Sequence, residues 1–128
     1  MRRLAPWIFL YSLLSAAGCA TTGGIGMPMG ESPQVGMASY YHSKFHGRPT
    51  ASGEAYNESE LTGAHLTLPF GTRVRVTNLA NHRSVVVRIN DRGPFTGGRV
   101  IDLSRRAAHE LGFLIQGTTR VHMDVLGP

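Results

Sequence analysis

The stretches Arg73-Val74-Arg75-Val76-Thr77-Asn78 and Ser84-Val85-Val86-Val87-Arg88-Ile89 decide the class of fold. The first alternates strictly between polar and apolar residues, which is typical of a strand with one buried face. The second is rich in β-branched residues and continuous in valine at its centre, so we expect a strand buried on both faces. The segment 79–83 between them has the length of a hairpin connection. The two stretches therefore predict a β-hairpin.

Further strand patterns lie on both sides of this hairpin. We predict strands at Val35–Tyr41, Val100–Leu103 and Val121–Val125. The single clear helix pattern runs from a capping Ser104 to Gly112, and a capping-box pattern at Asn57–Glu60 favours one short turn. Glycine and proline separate these segments throughout. Many short strands with glycine-rich turns indicate an all-β protein, a small barrel rather than a layered α/β domain.

The N-terminal segment has the layout of a secretory signal peptide. A basic start is followed by the apolar run Leu4–Leu14 and then by small residues up to Gly18. The run is shorter than the ~20 residues of a membrane-spanning helix. Cys19 is the single cysteine, so it forms no disulfide within the chain. Its position predicts lipidation, although Ala16 stands where Leu is usual, and an ordinary cleaved signal with a free cysteine is the alternative.

These features predict three segments. Residues 1–18 form the signal peptide, residues 19–34 a flexible tether of Thr, Gly, Met and Pro, and residues 35–128 one folded domain. A lipid on Cys19 would anchor the protein to a membrane of the bacterial envelope. Because Ala20 is not Asp, we expect the periplasmic face of the outer membrane, with the inner membrane as the alternative. We expect a monomer.

The charge balance favours an anionic polymer or surface as the partner. The chain carries 13 Lys and Arg against 8 Asp and Glu. These bases are dispersed in runs of no more than two, which argues against nucleic acid. His42 and His46 are four apart, but the nearby Gly47 and Pro49 disfavour a helical metal site. No phosphate-binding glycine loop is present in the sequence, so we expect no metal and no cofactor.

Four polar residues are candidates for chemistry, and each also has an ordinary structural interpretation. Asp91 follows a hydrophobic strand and precedes Arg-Gly-Pro, where it either forms a turn or donates a proton in a groove. His65 is either a half-buried histidine or a site residue. Glu54 is by itself an exposed turn acid. Asp102 faces away from its apolar strand neighbours, and it either lines a groove or caps the following helix.

Several strings, taken in order, resemble the rare lipoprotein A (RlpA-like) family of lytic transglycosylases. The resemblance covers about residues 36–126 and rests on these strings: Gly36-Met-Ala-Ser-Tyr-Tyr41, Phe45-His-Gly-Arg-Pro-Thr-Ala-Ser-Gly-Glu54, Leu61-Thr-Gly-Ala-His65, Leu68-Pro-Phe-Gly-Thr-Arg-Val-Arg-Val-Thr-Asn-Leu79, Val87-Arg-Ile-Asn-Asp-Arg-Gly-Pro-Phe95 and Arg99-Val-Ile-Asp-Leu-Ser104. It departs from the family at His82, where Gly is common in the hairpin, and at Gly63, where Ala is frequent.

The resemblance implies a six-stranded double-psi β-barrel with one or two short helices and a groove for peptidoglycan glycan, often stripped of stem peptides. It implies that Asp91 is the catalytic acid, supported by His65 and Glu54. The residues that shape the groove would be Thr50, Ser52, Arg92 and Asp102. The implied reaction cleaves the bond between N-acetylmuramic acid and N-acetylglucosamine without water and leaves 1,6-anhydro ends. Hydrolysis with Glu54 as a second carboxylate stays open. The alternatives are an expansin-like module that binds glycan without cleaving it and a scaffold that recruits envelope partners.

Overall fold

The computed structural model describes residues 34–128. The predictions for the signal peptide, for Cys19 and for the tether up to residue 33 lie outside this part of the chain. The strands are β1 (Gln34–Tyr40), β2 (Thr62–Ala64), β3 (Arg73–Asn78), β4 (Ser84–Asp91), β5 (Arg99–Leu103) and β6 (Thr118–Gly127), and the helices are a 3-10 turn (Ser43–Phe45) and α1 (Arg105–Leu111). No helix among these residues has the length and apolar character needed to cross a bilayer.

The six strands close into a barrel in the order β1-β5-β2-β4-β3-β6. The pairs β1–β5 and β2–β4 are parallel, and the other neighbours are antiparallel. The predicted hairpin is confirmed as β3 and β4, which pair from Arg73 opposite Arg88 to Thr77 opposite Ser84. The all-β prediction and the expected count of six strands are therefore confirmed in the described residues.

The apolar faces of the strands fill the barrel. On β3, Val74 and Val76 are fully buried between exposed arginines, as the alternation predicts. The expectation that the valines of β4 are buried on both faces is wrong. Val87 and Ile89 point into the core, whereas Val86 on the opposite face is only partly buried. In a single closed barrel, one face of each strand meets the core and nothing covers the other completely.

Helix α1 closes one end of the core, and its sequence explains both of its ends. The Ser104 hydroxyl accepts a hydrogen bond from the Ala107 N–H at 3.2 Å, which caps the N-terminus. Gly112 ends the helix in the left-handed conformation with φ of 80°. The side-chain amides of Asn78 and Asn81 donate to the Leu111 carbonyl at 2.8 and 3.0 Å. The β3–β4 hairpin is thereby tied to the end of the helix.

Strand β2 was not predicted as a strand, because its three residues are too short to show a period. All three are buried, and β2 lies between β4 and β5. Ala64 is paired with Asp91 on one side and with Asp102 on the other. The closure of the barrel thus places Asp91 and Asp102 on either side of Ala64.

Candidate active site

A cleft of about 300 Å³ opens beside the C-terminal end of β4. The cleft combines aromatic rings with polar groups. The residues that line it are Tyr41, Phe45, Arg48, Pro49, Thr50, Tyr56 and Asp91. A slightly larger cleft of about 340 Å³ lies beside the end of α1, but no carboxylate lines it. The cleft beside β4 is therefore the candidate active site.

The Asp91 carboxylate accepts hydrogen bonds from three donors. The Ala51 N–H donates to Oδ1 at 2.8 Å, and the Arg92 N–H donates to the same oxygen at 2.9 Å. The Tyr41 hydroxyl donates to Oδ2. The two backbone N–H groups can only donate, so a proton on this carboxyl group has to sit on Oδ2. Of the three partners, only the Tyr41 hydroxyl can change from donor to acceptor when that proton arrives.

Tyr41 is half-buried at the boundary of the cleft. Its ring meets the Tyr56 ring edge-to-face at a centroid distance of 4.8 Å and the Phe45 ring at 6.1 Å. Burial raises the pKa of Tyr41 strongly, and the hydrogen bond and negative charge of Asp91 raise it further. The Tyr41 hydroxyl therefore keeps its proton throughout the physiological range and serves as a neutral partner of the carboxylate.

The loop that precedes β2 carries one of these donors to Asp91. Pro49 and Ala55 form an isolated antiparallel bridge, and between them Thr50 N–H donates to the Glu54 carbonyl at 2.9 Å. The chain reverses at Gly53, whose φ of 96° favours glycine. The Thr50 hydroxyl lies 3.0 Å from the Ser52 hydroxyl and donates to the Glu54 carbonyl at 2.7 Å. Thr50 and Ser52, two of the four predicted groove residues, thus stabilise this turn, and Thr50 also lines the cleft.

Glu54 points at strand β4. Its Oε1 accepts from Arg88 and from the Asn90 side-chain amide, each at 2.7 Å. The Asn90 hydrogen bond and then the Arg88 hydrogen bond lower the pKa of Glu54. Glu54 is therefore an ionised acceptor near neutrality rather than a proton donor, and its side chain makes no hydrogen bond to Asp91 within the described residues.

His65 and Arg92 lie on the other side of the Asp91 backbone. The His65 N–H donates to the Asp91 carbonyl at 3.2 Å, while its Nδ1 accepts from the backbone N–H groups of Thr67 and Leu68 at 3.1 and 3.2 Å. Burial, and then the positive charge of Arg92, lower the pKa of His65. The imidazole is therefore neutral, with its proton on Nε2.

One nitrogen of the Arg92 guanidinium, Nη1, hydrogen-bonds to the protein backbone. The guanidinium donates to the carbonyls of His65 and Leu68 at 3.2 and 2.9 Å and stacks over the Phe70 ring at 4.1 Å. It therefore holds the loop after β2 in place. Both hydrogen bonds come from Nη1, and among residues 34–128 the N–H groups on Nε and Nη2 donate to no protein acceptor, so a ligand contact as predicted for a groove residue leaves this loop intact.

Asp102 accepts from the Ser39 hydroxyl at 2.6 Å and from Arg99 at 3.2 Å. Its side chain is 13% exposed, and it does not cap α1, since Ser104 does. Asp102 also adds to the negative potential that raises the pKa of Tyr41. It therefore acts on the site from behind Tyr41 rather than from the cleft wall.

Sequence reasoning did not assign Tyr41, Asn90 or Arg88 to the site. Tyr41 ends the first predicted strand, where an aromatic residue is ordinary. Asn90 and Arg88 alternate with apolar residues on β4, and this alternation is the one signal that they face a common side. A metal centre is not indicated, since residues 34–128 contain no group of three His, Cys, Asp or Glu that could hold an ion.

Comparison with protein families gives a match over residues 33–123 to the family described as lytic transglycolase. A probable endolytic peptidoglycan transglycosylase RlpA from Synechocystis is 63% identical over 91 residues, 71% of this chain and 28% of that protein. The endolytic peptidoglycan transglycosylase RlpA of Pasteurella multocida is 57% identical over 71% of this chain and 31% of its own length. The endolytic peptidoglycan transglycosylase RlpA of Neisseria meningitidis is 52% identical over 77% of this chain and 41% of its own length. The chain thus spans less than half the length of these relatives.

Solved structures share the barrel at low sequence identity. The Streptomyces papain inhibitor superposes with a TM-score of 0.61 at 24% identity, over 78% of this chain and 98% of that one. The expansin of Clavibacter michiganensis superposes with a TM-score of 0.59 at 18% identity, over 74% of this chain and 50% of that one. These likenesses concern the fold alone, and they confirm the predicted double-psi β-barrel. The family match covers most of this chain, and more than half of the aligned residues are identical in these RlpA relatives. The chain therefore belongs to the RlpA-like family of lytic transglycolase domains.

Proposed function

We propose that this protein is an endolytic lytic transglycosylase that cleaves peptidoglycan glycan strands, with Asp91 as the single acid/base. One observation carries the proposal. The Asp91 carboxylate lines an open, aromatic-walled cleft and is oriented by two backbone N–H groups and one hydroxyl. Such fixed donors hold a carboxyl group in one orientation for proton transfer.

The chemistry needs two proton transfers at one oxygen. Asp91 protonates the glycosidic oxygen as the bond from C1 of N-acetylmuramic acid to that oxygen breaks. The resulting carboxylate then takes the proton of the C6 hydroxyl of the same sugar, and O6 bonds to C1. The products are an N-acetylglucosamine end and a 1,6-anhydro end, and Asp91 regains its proton. Since Oδ1 is held by two N–H donors, Oδ2 is the oxygen that exchanges the proton.

The surroundings of Glu54 favour this route over hydrolysis. A second carboxylate that activates water has to be free to accept a proton. Glu54 is instead ion-paired with Arg88 and hydrogen-bonded to Asn90. We assign to Glu54 the role of ordering the end of β4 and the Thr50 turn. We assign to His65 the role of holding the β2 end against Asp91 as a neutral imidazole.

The location follows from the sequence features of the N-terminal segment. A lipid on Cys19 and a tether that ends at residue 33, before Gln34 opens β1, would hold the domain on the periplasmic face of the outer membrane, within reach of the wall. The surplus of basic residues suits the anionic wall. The protein would act there on glycan, preferentially on strands without stem peptides.

The test compares wild type with Asp91→Asn on peptide-free glycan, with products identified by mass spectrometry. Asparagine keeps an oxygen that accepts from Ala51 and Arg92, so the variant folds, but it has no acidic proton to donate. We expect anhydromuramyl products from wild type and at least about a hundredfold lower rate from Asp91→Asn. Asp124→Asn, on β6 and two strands away from β4, is the matched control and should retain activity. A folded wild type that binds glycan but releases no product would instead support the non-cleaving, expansin-like alternative.

A further inference from the structure

Arg48 is a cation at the cleft that forms no ion pair with any of residues 34–128. It lines the same cleft as Asp91, and its guanidinium lies 5.5 Å from the centroid of the Phe45 ring. Its backbone is fixed, because Arg48 N–H donates to the Phe45 carbonyl at 3.0 Å and the Tyr56 N–H donates to the Arg48 carbonyl at 2.7 Å. The side chain is therefore presented from a rigid position, with its stem beside an aromatic ring.

The acids nearest in the site already have partners. Glu54 is bound by Arg88 and Asn90, and Asp91 is bound by its three donors. No ion pair or side-chain hydrogen bond engages the Arg48 guanidinium among residues 34–128. Five N–H donors on Arg48 are thus available to a ligand in the cleft.

We propose that Arg48 binds the free lactyl carboxylate of the muramyl residue that is cleaved, and so makes the enzyme select glycan without stem peptides. The inference rests on the proposed function. The lactyl ether is on O3 of the sugar whose C1 reacts, two ring carbons away, so a group in the same cleft as Asp91 reaches it. A stem peptide turns this carboxylate into a neutral amide, and removal of the peptide restores the charge.

A guanidinium distinguishes these two forms strongly. It forms two parallel hydrogen bonds with a carboxylate, whereas an amide offers one acceptor oxygen and a donor that repels it. A hydrogen bond to a charged group contributes enough to change binding by about ten- to a hundredfold. The cleft, at the small end of the ~300–1,000 Å³ range of ligand sites, has room for one sugar with its substituent beside Asp91 and Arg48.

The experiment uses two substrates prepared from one batch of peptide-free glycan. One keeps its lactyl carboxylates, and in the other they are converted to primary amides with carbodiimide and ammonia. We measure kcat/KM on each for wild type, Arg48→Ala, Arg48→Lys and Arg75→Ala. Arg75 is the matched control, an exposed arginine paired with Val86, about 16 Å before Asp91 along β4.

We expect wild type and Arg75→Ala to prefer the free carboxylate by about ten- to a hundredfold. Arg48→Ala should cleave both glycans at the low rate that wild type shows on the amidated one, and Arg48→Lys should keep part of the preference. An Arg48→Ala variant that keeps the full wild-type preference overturns the inference.

Failure of the proposed function is read separately. If wild type cleaves neither glycan, the rates are replaced by pull-down of the protein on beads that carry each glycan, immobilised through its reducing ends. A preference for the free carboxylate that disappears in Arg48→Ala then supports the inference without catalysis, and equal binding of both polymers by wild type refutes it.

Discussion

Replacement of Tyr41 by Phe removes one hydroxyl and leaves the ring. The ring retains its edge contact with Tyr56 at 4.8 Å and its contact with Phe45 at 6.1 Å. Asp91 loses the donor on Oδ2 and keeps both backbone donors on Oδ1. Tyr40→Phe is the matched control, because the Tyr40 hydroxyl donates to the neutral carbonyl of Leu114 at 2.8 Å. The two variants differ in whether the lost partner is the proposed acid/base.

The magnitudes follow from the charge of each partner and its access to water. A hydrogen bond to a charged group contributes ~1.5–3 kcal/mol, and one to a neutral group ~0.5–1.5 kcal/mol. Water in the open cleft can replace the Tyr41 hydroxyl on Oδ2, which places the loss at about 1.5 kcal/mol. For a domain of this size that lowers Tm by about 6–12 °C. We expect kcat/KM to fall about tenfold in Tyr41→Phe, because the carboxyl group loses one of its fixed contacts, and to stay unchanged in Tyr40→Phe.

The assay is a double-mutant cycle. Urea unfolding, followed by far-UV circular dichroism, gives the free energy of unfolding of wild type, Tyr41→Phe, Asp91→Asn and the double variant. Since the Tyr41 hydroxyl stabilises the fold through Asp91, Tyr41→Phe should cost less when Asp91 is already Asn. An equal cost in both backgrounds, or equal loss of activity in Tyr40→Phe and Tyr41→Phe, refutes the coupling.

Three further predictions concern single groups. Because the pKa of His65 is lowered, the unfolded chain takes up a proton near pH 6.5 and the folded chain only at lower pH. The free energy of unfolding therefore has its full value above pH 6.5 and declines below it. NMR titration of the imidazole should give a midpoint below 6.5, and a midpoint above 6.5 contradicts the assignment. Ser104→Ala removes the helix cap and the acceptor for the Thr62 N–H, so it should lower the free energy of unfolding in urea by about 2 kcal/mol. A loss under about 0.5 kcal/mol would show that water replaces the hydroxyl. His82→Gly relieves a φ of 66° and should raise stability by about 0.5–1 kcal/mol in thermal unfolding, with no change or a loss counting against strain at this position.

Much of the barrel could be predicted from the sequence, because several strands show an alternation of polar and apolar residues and the helix is bounded by a capping serine and a glycine. The alternation of β3, the helix cap at Ser104 and the helix end at Gly112 are all as predicted. Strand β2 and the partial exposure of Val86 were not predictable, because both depend on which strands become neighbours when the barrel closes. Pairing between β2 and β4 is parallel and joins segments that no hairpin connects.

The site was predictable to a different extent, because much of it is backbone. Motif reasoning proposes Asp91, but two of the three hydrogen-bond donors to its carboxylate are N–H groups, which every residue except proline carries. Their position depends on the turn at Gly53 and on the hydrogen bond from His65 N–H to the Asp91 carbonyl. Side chains such as Glu54 then hold these backbone segments against β4 rather than touch the carboxyl group. It follows that shortening the turn would disturb the orientation of the Asp91 carboxylate more than replacing any one hydroxyl within the turn. The backbone of the turn, and not its side chains, places the Ala51 N–H against Oδ1.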